Sequence, residues 1–201
     1  MQDLDRALAD ISEIRSQLAR GSAFHGYGAA TLAATGVFAA LAAIVQARLV
    51  PDPAHAPLAY VGLWTATAGV SVIVIGLETF TRSRRVHSGM AQEMIVSAAE
   101  QFLPAGIAGV LLTAVLLRFD PEALWMLPGL WQVVFALGVF ASCRFLPRSM
   151  LLVGGWYLAA AMVSLVLARG AHAFSPWAMG APFAVGQLMV GAILQLSSRR
   201  T

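Results

Sequence analysis

The sequence predicts an all-α polytopic membrane protein, six transmembrane helices behind an N-terminal amphipathic helix, and three observations carry that prediction. The first is composition: of 201 residues, 59% are hydrophobic and 11% charged, with a mean hydropathy of +0.75. Soluble domains carry about 25% charged residues, so this chain lacks the charge to cover a water-facing surface. The second is that six apolar stretches approach the roughly 20 residues a helix needs to cross a ~30 Å hydrocarbon layer. The third is the placement of the basic residues, all 13 of them arginine, which fall between the apolar blocks. A basic balance of that kind is a topology signal; nucleic-acid binding would need the arginines clustered on one face. The single cysteine, Cys143, excludes an intrachain disulfide framework and a cysteine-based zinc site.

Residues 1–21 form the first unit. Within QDLDRALADISEIRSQLAR, Leu4, Ala7, Leu8, Ile11, Ile14 and Leu18 fall on an arc of about 120°, one face of an amphipathic helix. Asp3 and Asp5 at its start, Arg15 and Arg20 near its end and Gly21 just past it agree with the helix dipole and a glycine stop. A membrane-surface helix would carry an excess of Lys and Arg, whereas residues 2–20 hold three arginines against four acids. The face of Leu4, Leu8, Ile11, Ile14 and Leu18 is therefore expected to pack on protein: on the chain's own loops, on a second copy, or on a partner helix. The segment is too charged for a cleaved signal peptide, which makes the first span an uncleaved anchor.

Residues 22–201 form the bundle. Its spans are expected at about Tyr27–Gln46, Leu58–Leu77, Phe102–Leu117 (entered from Ile95), Leu124–Cys143, Met150–Ala168 and Trp177–Leu196. The separators PDPAHAP, TRSRRVHSG, RFDPEA, RFLPRS and RGAHAFSP carry breakers or charge. They are short, so consecutive helices should be antiparallel neighbours. Ten arginines fall on the side of the termini and three on the other, which places both termini in the cytoplasm and the protein in the inner, plasma membrane. Short matches suggest three hairpin repeats: Asp52-Pro53 with Asp120-Pro121, Gly62-Leu63-Trp64 with Gly129-Leu130-Trp131, and Ala54-His55-Ala56 with Ala171-His172-Ala173.

Ionisable groups inside a span are expensive and mark function by default. Glu78 and Glu100 lie at matched depth on the cytoplasmic side, with Gln101 beside the second. Pro104 removes the backbone donor that would serve the Glu100 carbonyl. Together they form a candidate ligand niche, against an interfacial Glu/Arg network with Arg82, Arg84 and Arg85. Gln132 and Gln187 lie deeper, about 12 Å and 16 Å from the outer span ends. Their amides need partners, for which Thr31, Thr35, Thr65, Thr67, Ser71 and Ser164 are available, as helix–helix glue or as the lining of a solute path. His25 and His87 fall inside and His55 and His172 outside the membrane. The outer two would meet if the first and third hairpins adjoin, and two ligands do not make a closed zinc site. Gly106-x-x-Gly109, Gly154-Gly155 and Gly180-x-x-x-Ala184 allow close helix approach, and Trp64, Trp125, Trp131, Trp156 and Trp177 suit an interfacial belt.

There is no HExxH, GxSxG, phosphate-binding glycine loop or paired intramembrane acid, hence no catalytic residue, metal or cofactor to name. The leading expectation is a non-enzymatic membrane scaffold, sensor or accessory subunit, its partners being the lipid bilayer and either a second copy or a partner helix. A small channel or transporter for a neutral solute is the alternative, and a membrane-embedded enzyme the third.

Overall fold

The computed structural model describes residues 28–83, 89–143, 146–167 and 170–198. The amphipathic face of Leu4, Leu8, Ile11, Ile14 and Leu18, together with His25, Arg84, Arg85 and His87, lies outside the described residues. The described chain is all helix and turn: α1 Ala29–Leu49, α2 Pro57–Ser83, α3 Gly89–Phe119, α4 Leu127–Ser142, α5 Met150–Leu167 and α6 Pro176–Ser198. Six helices are long and apolar enough to cross a membrane, so the protein is a multi-pass membrane protein.

Boundaries depart from the expected spans where the local chemistry differs from simple hydropathy. The fourth span opens with a 3-10 segment, Pro121–Met126, and becomes α-helical only at Leu127. Pro121 and Pro128 both lack the N–H a helix interior requires, and each is accommodated in a first turn, Pro121 of the 3-10 segment and Pro128 of the α-helix. The third helix begins at Gly89, well before Phe102, and runs unbroken through Pro104.

Side-by-side packing follows the order α2, α1, α6, α5, α4, α3. The pairing of α1 with α6 is the most extensive, and glycine explains why. A Cβ at Gly36 would sit 2.9 Å from the Ala184 carbonyl oxygen, and one at Gly191 would sit 2.8 Å from that of Ala29. Gly180 meets Ala43 in the same way, so the two helices lie antiparallel in backbone contact along most of their length. In α4, Gly129 receives Leu165 and Gly138 receives Phe102. The aromatic centre is Phe135, with Phe102, Tyr157 and Phe183 at centroid distances of 4.6–5.2 Å.

Neighbours in sequence are therefore neighbours in space, with one exception. α2 packs on α1 and α3 on α4, and among the described residues these two consecutive helices stand at opposite ends of the packing order, without extensive contact with each other. They are correspondingly bare: 11% of the α2 span and 6% of the α3 span is buried, against 39% in α1 and 44% in the fourth span.

The hairpin repeat has a physical counterpart. Trp64 donates its indole N–H to Gln46 Oε1 at 2.8 Å, and Trp131 donates to Thr113 Oγ1 at 2.8 Å. Each bond joins the second helix of a hairpin to the first across 18 residues. In the third hairpin the indole lies on the first helix instead, with Trp156 donating to the Pro182 carbonyl at 2.9 Å. Three of the five tryptophans are thus bonded between helices within the protein, beyond the belt role their positions suggest.

Candidate functional site

Gln46 is fully buried near the end of α1 and ties three segments together. It accepts from Trp64 of α2 and donates through Nε2 to the Phe174 carbonyl at 2.7 Å. Phe174 leads into α6 with φ 60, the left-handed region that non-glycine residues rarely adopt. Its ring is buried, edge-on to Tyr60 at 4.9 Å. Above it, at the end of the bundle that carries Asp52, the α1–α2 and α5–α6 loops border an open recess of about 520 Å³ lined by Gln46, Asp52, His172, Phe174 and Ser175. The two hairpins do adjoin. His55 points instead to its own loop, where Nδ1 lies 2.7 Å from Asp52 Oδ2, and it is not among the lining residues. That hydrogen bond, more than any other effect, holds the Asp52 carboxyl below the usual carboxylate range. Among the described residues no group of three His, Cys, Asp or Glu could hold a metal ion.

Gln132, on α4, is also fully buried. Its Nε2 donates to the Ala178 carbonyl at 2.7 Å and lies 3.4 Å from Ser164 Oγ. The Ala178 carbonyl is free because Pro182, four residues on within α6, has no N–H to give it. Gln187 donates to the Tyr157 hydroxyl at 3.3 Å. Of the hydroxyls available on sequence, only Ser164 meets Gln132; Thr35, Thr65, Thr67 and Ser71 donate to carbonyls of their own helices three or four residues back.

The inner carboxylates have different surroundings. Glu78 packs on α1, where a Cβ at Gly28 would overlap its carboxylate. Gly28 is the residue preceding α1, and the dipole of that helix favours a negative charge at its start. Glu100 and Gln101 are exposed on α3, as is Pro104. Cys143, just past α4, is half-buried.

One surface feature escapes a reading of composition. Along α2, Ala59, Gly62, Ala66, Gly69, Ile73, Gly76 and Phe80 alternate spacings of three and four, and every one is exposed or half-exposed. Seven residues fall only about 20° short of two turns, so this is one continuous seam of heptad type. A Cβ at Gly62, Gly69 or Gly76 would meet nothing within 4 Å. The heptad spacing of the three glycines was the sequence signal for it. Comparison of the chain with family models, with curated proteins and with solved structures gives no match.

Proposed function

We propose that the protein is a non-enzymatic membrane scaffold or accessory subunit that binds a transmembrane helix of a partner along the α2 seam. The observation that supports this is the contrast in how glycine is used. Gly36, Gly129, Gly138, Gly154, Gly180, Gly186 and Gly191 each lie under a neighbouring helix or side chain; Gly106 on α3 and Gly155 on α5 are single open positions, whereas Gly62, Gly69 and Gly76 on α2 meet nothing among the described residues at three successive heptad positions. Glycine in a helix interior costs about 1 kcal/mol relative to alanine. Lipid needs no such surface, whereas small residues let two helix backbones approach closely in a bilayer. The amides support the same reading, since buried Gln46 and Gln132 and half-buried Gln187 all bond across helices and act as glue.

The test replaces Gly62, Gly69 and Gly76 together by leucine. The open space around them leaves the fold intact, so the variant is expected to insert and melt like the wild type while losing, by tenfold or more, whatever co-purifies from native membranes in a mild detergent. Full recovery of the associated protein, or a wild type that purifies as a monomer alone, would refute the proposal. An associate that proves to be a second copy makes the protein a homo-oligomeric scaffold; a different chain makes it an accessory subunit.

The arginine asymmetry supports an orientation with both termini in the cytoplasm of the inner membrane. A reporter fused after Thr201 is then expected to read cytoplasmic, and one inserted at Ala54 to read periplasmic. The reverse pattern in either fusion contradicts the orientation.

A further inference from the structure

Two helix faces stay bare once the bundle has formed, one on α2 and one on α3. These are the least buried spans, and they stand at opposite ends of the packing order. On α3, Phe102 packs on Phe135 and Thr113 accepts from Trp131, so that side of the helix belongs to α4. Away from it, Leu103, Ile107, Val110 and Ala114 are all exposed and alternate spacings of four and three. This is a second seam of heptad type, bulky where the α2 seam is notched. The depths match as well. The spans run Pro57–Thr81 and Ala99–Phe119, so Gly69 and Gly109 mark their midpoints, and at a common rise per residue Val110 lies level with Gly69. One heptad further along, Leu103 lies level with Gly76. At the end of the bundle opposite Asp52, exposed Glu100 is level with the last turn of α2, which carries Arg82.

We infer that the occupant of the α2 seam is α3 of a second copy, joined head to tail. The inference rests on the reading that α2 binds a transmembrane helix, and it names that helix. Consecutive spans cross in opposite directions, so in a copy inserted the same way α3 runs antiparallel to α2. Antiparallel pairing sets Val110 and Leu103 over Gly69 and Gly76, where no atom of the described chain lies within reach of a Cβ. It also brings Glu100 of one copy to the helix end that carries Arg82 in the next, and opposite charges at one end fix the register. α2 against α2 is the poorer match. Two copies would pair it in parallel, stacking Ile73 on Ile73 and Phe80 on Phe80, side chains that hold the backbones apart on either side of Gly76. Because the two seams lie on different helices, each copy gives one contact and takes another, and the assembly closes as a ring or extends as a chain.

Disulfide trapping in native membranes provides the test, using full-length chains in which Cys143→Ala removes the only native cysteine. A Gly69→Cys copy co-expressed with a Val110→Cys copy is expected to give an oxidised dimer of the two, and either copy expressed alone to give tenfold less or lower. Glu100→Arg in the Val110→Cys copy is expected to cut the yield several-fold, and Arg82→Glu in the Gly69→Cys copy to restore it. Gly69→Cys copies that crosslink to each other, or a yield indifferent to both charge reversals, would overturn the head-to-tail contact. So would the absence of any dimer while replacing the three glycines by leucine still sheds a different chain, a result that leaves the α2 seam itself in place. A wild type that is a monomer alone overturns both readings.

Discussion

Gln46→Leu is expected to destabilise the bundle by about 2–4 kcal/mol, the lower part of the range for leaving one buried donor and one buried acceptor unpaired. The donor is the Trp64 indole N–H and the acceptor the Phe174 carbonyl, and Gln46 serves both at 2.7–2.8 Å. Leucine matches glutamine in volume, so the change removes bonds without opening a cavity. Individual hydrogen bonds between membrane helices average only about 0.6 kcal/mol and reach about 1.7. Two lost at one fully buried node belong at the upper end. Release of Phe174 from its left-handed conformation returns part of the loss, which keeps the expectation below the full sum of two orphaned groups. Reversible unfolding in mixed micelles measures the difference. A loss under about 0.5 kcal/mol would mean that the loop before α6 repacks freely and that Gln46 does not hold the three segments together.

How far such a node can be read from sequence depends on which physical rule locates each partner. The spans were legible because bilayer thickness imposes a length, and hydropathy reports it directly. Their order in space was not. Short loops imply adjacency, and the rule holds for α1 with α2 and for each consecutive pair from α3 to α6, but fails between α2 and α3. The competing term is the α1–α6 contact, where glycine at three levels allows backbone approach that no loop length encodes. Depth in the membrane was legible for Glu78 and Glu100, whereas azimuth was not: it sets the Glu78 carboxylate against Gly28 at the start of α1. The need of Gln132 and Gln187 for partners was legible from the cost of an unpaired amide in hydrocarbon. Of the serine and threonine hydroxyls, Ser164 alone meets either amide, because Thr35, Thr65, Thr67 and Ser71 satisfy themselves on the preceding turn; Gln187 finds the Tyr157 hydroxyl instead.

The partner of Gln132 follows from the same rule that frees the carbonyl before Pro104. A proline inside a helix leaves the carbonyl four residues before it without a donor; at Pro104 that group belongs to exposed Glu100, but at Pro182 it is Ala178, in the core beside Gln132. This pairing makes a sharp prediction. Gln132→Leu alone leaves the Ala178 carbonyl unpaired and is expected to cost about 1–2 kcal/mol, the range of a strong interhelical bond. In a Pro182→Ala background the new backbone N–H can close the helical bond to Ala178, so the same Gln132→Leu change should cost less than about 0.5 kcal/mol. The coupling between the two sites, measured as a double-mutant cycle in mixed-micelle unfolding, is then about 1 kcal/mol. Because Pro182 also offers its own carbonyl to Trp156, and alanine retains that carbonyl, the cycle isolates the missing N–H. Additive costs would show that Gln132 contributes through packing around Met179 and Ser164, and that the proline and the glutamine in this bundle are unrelated.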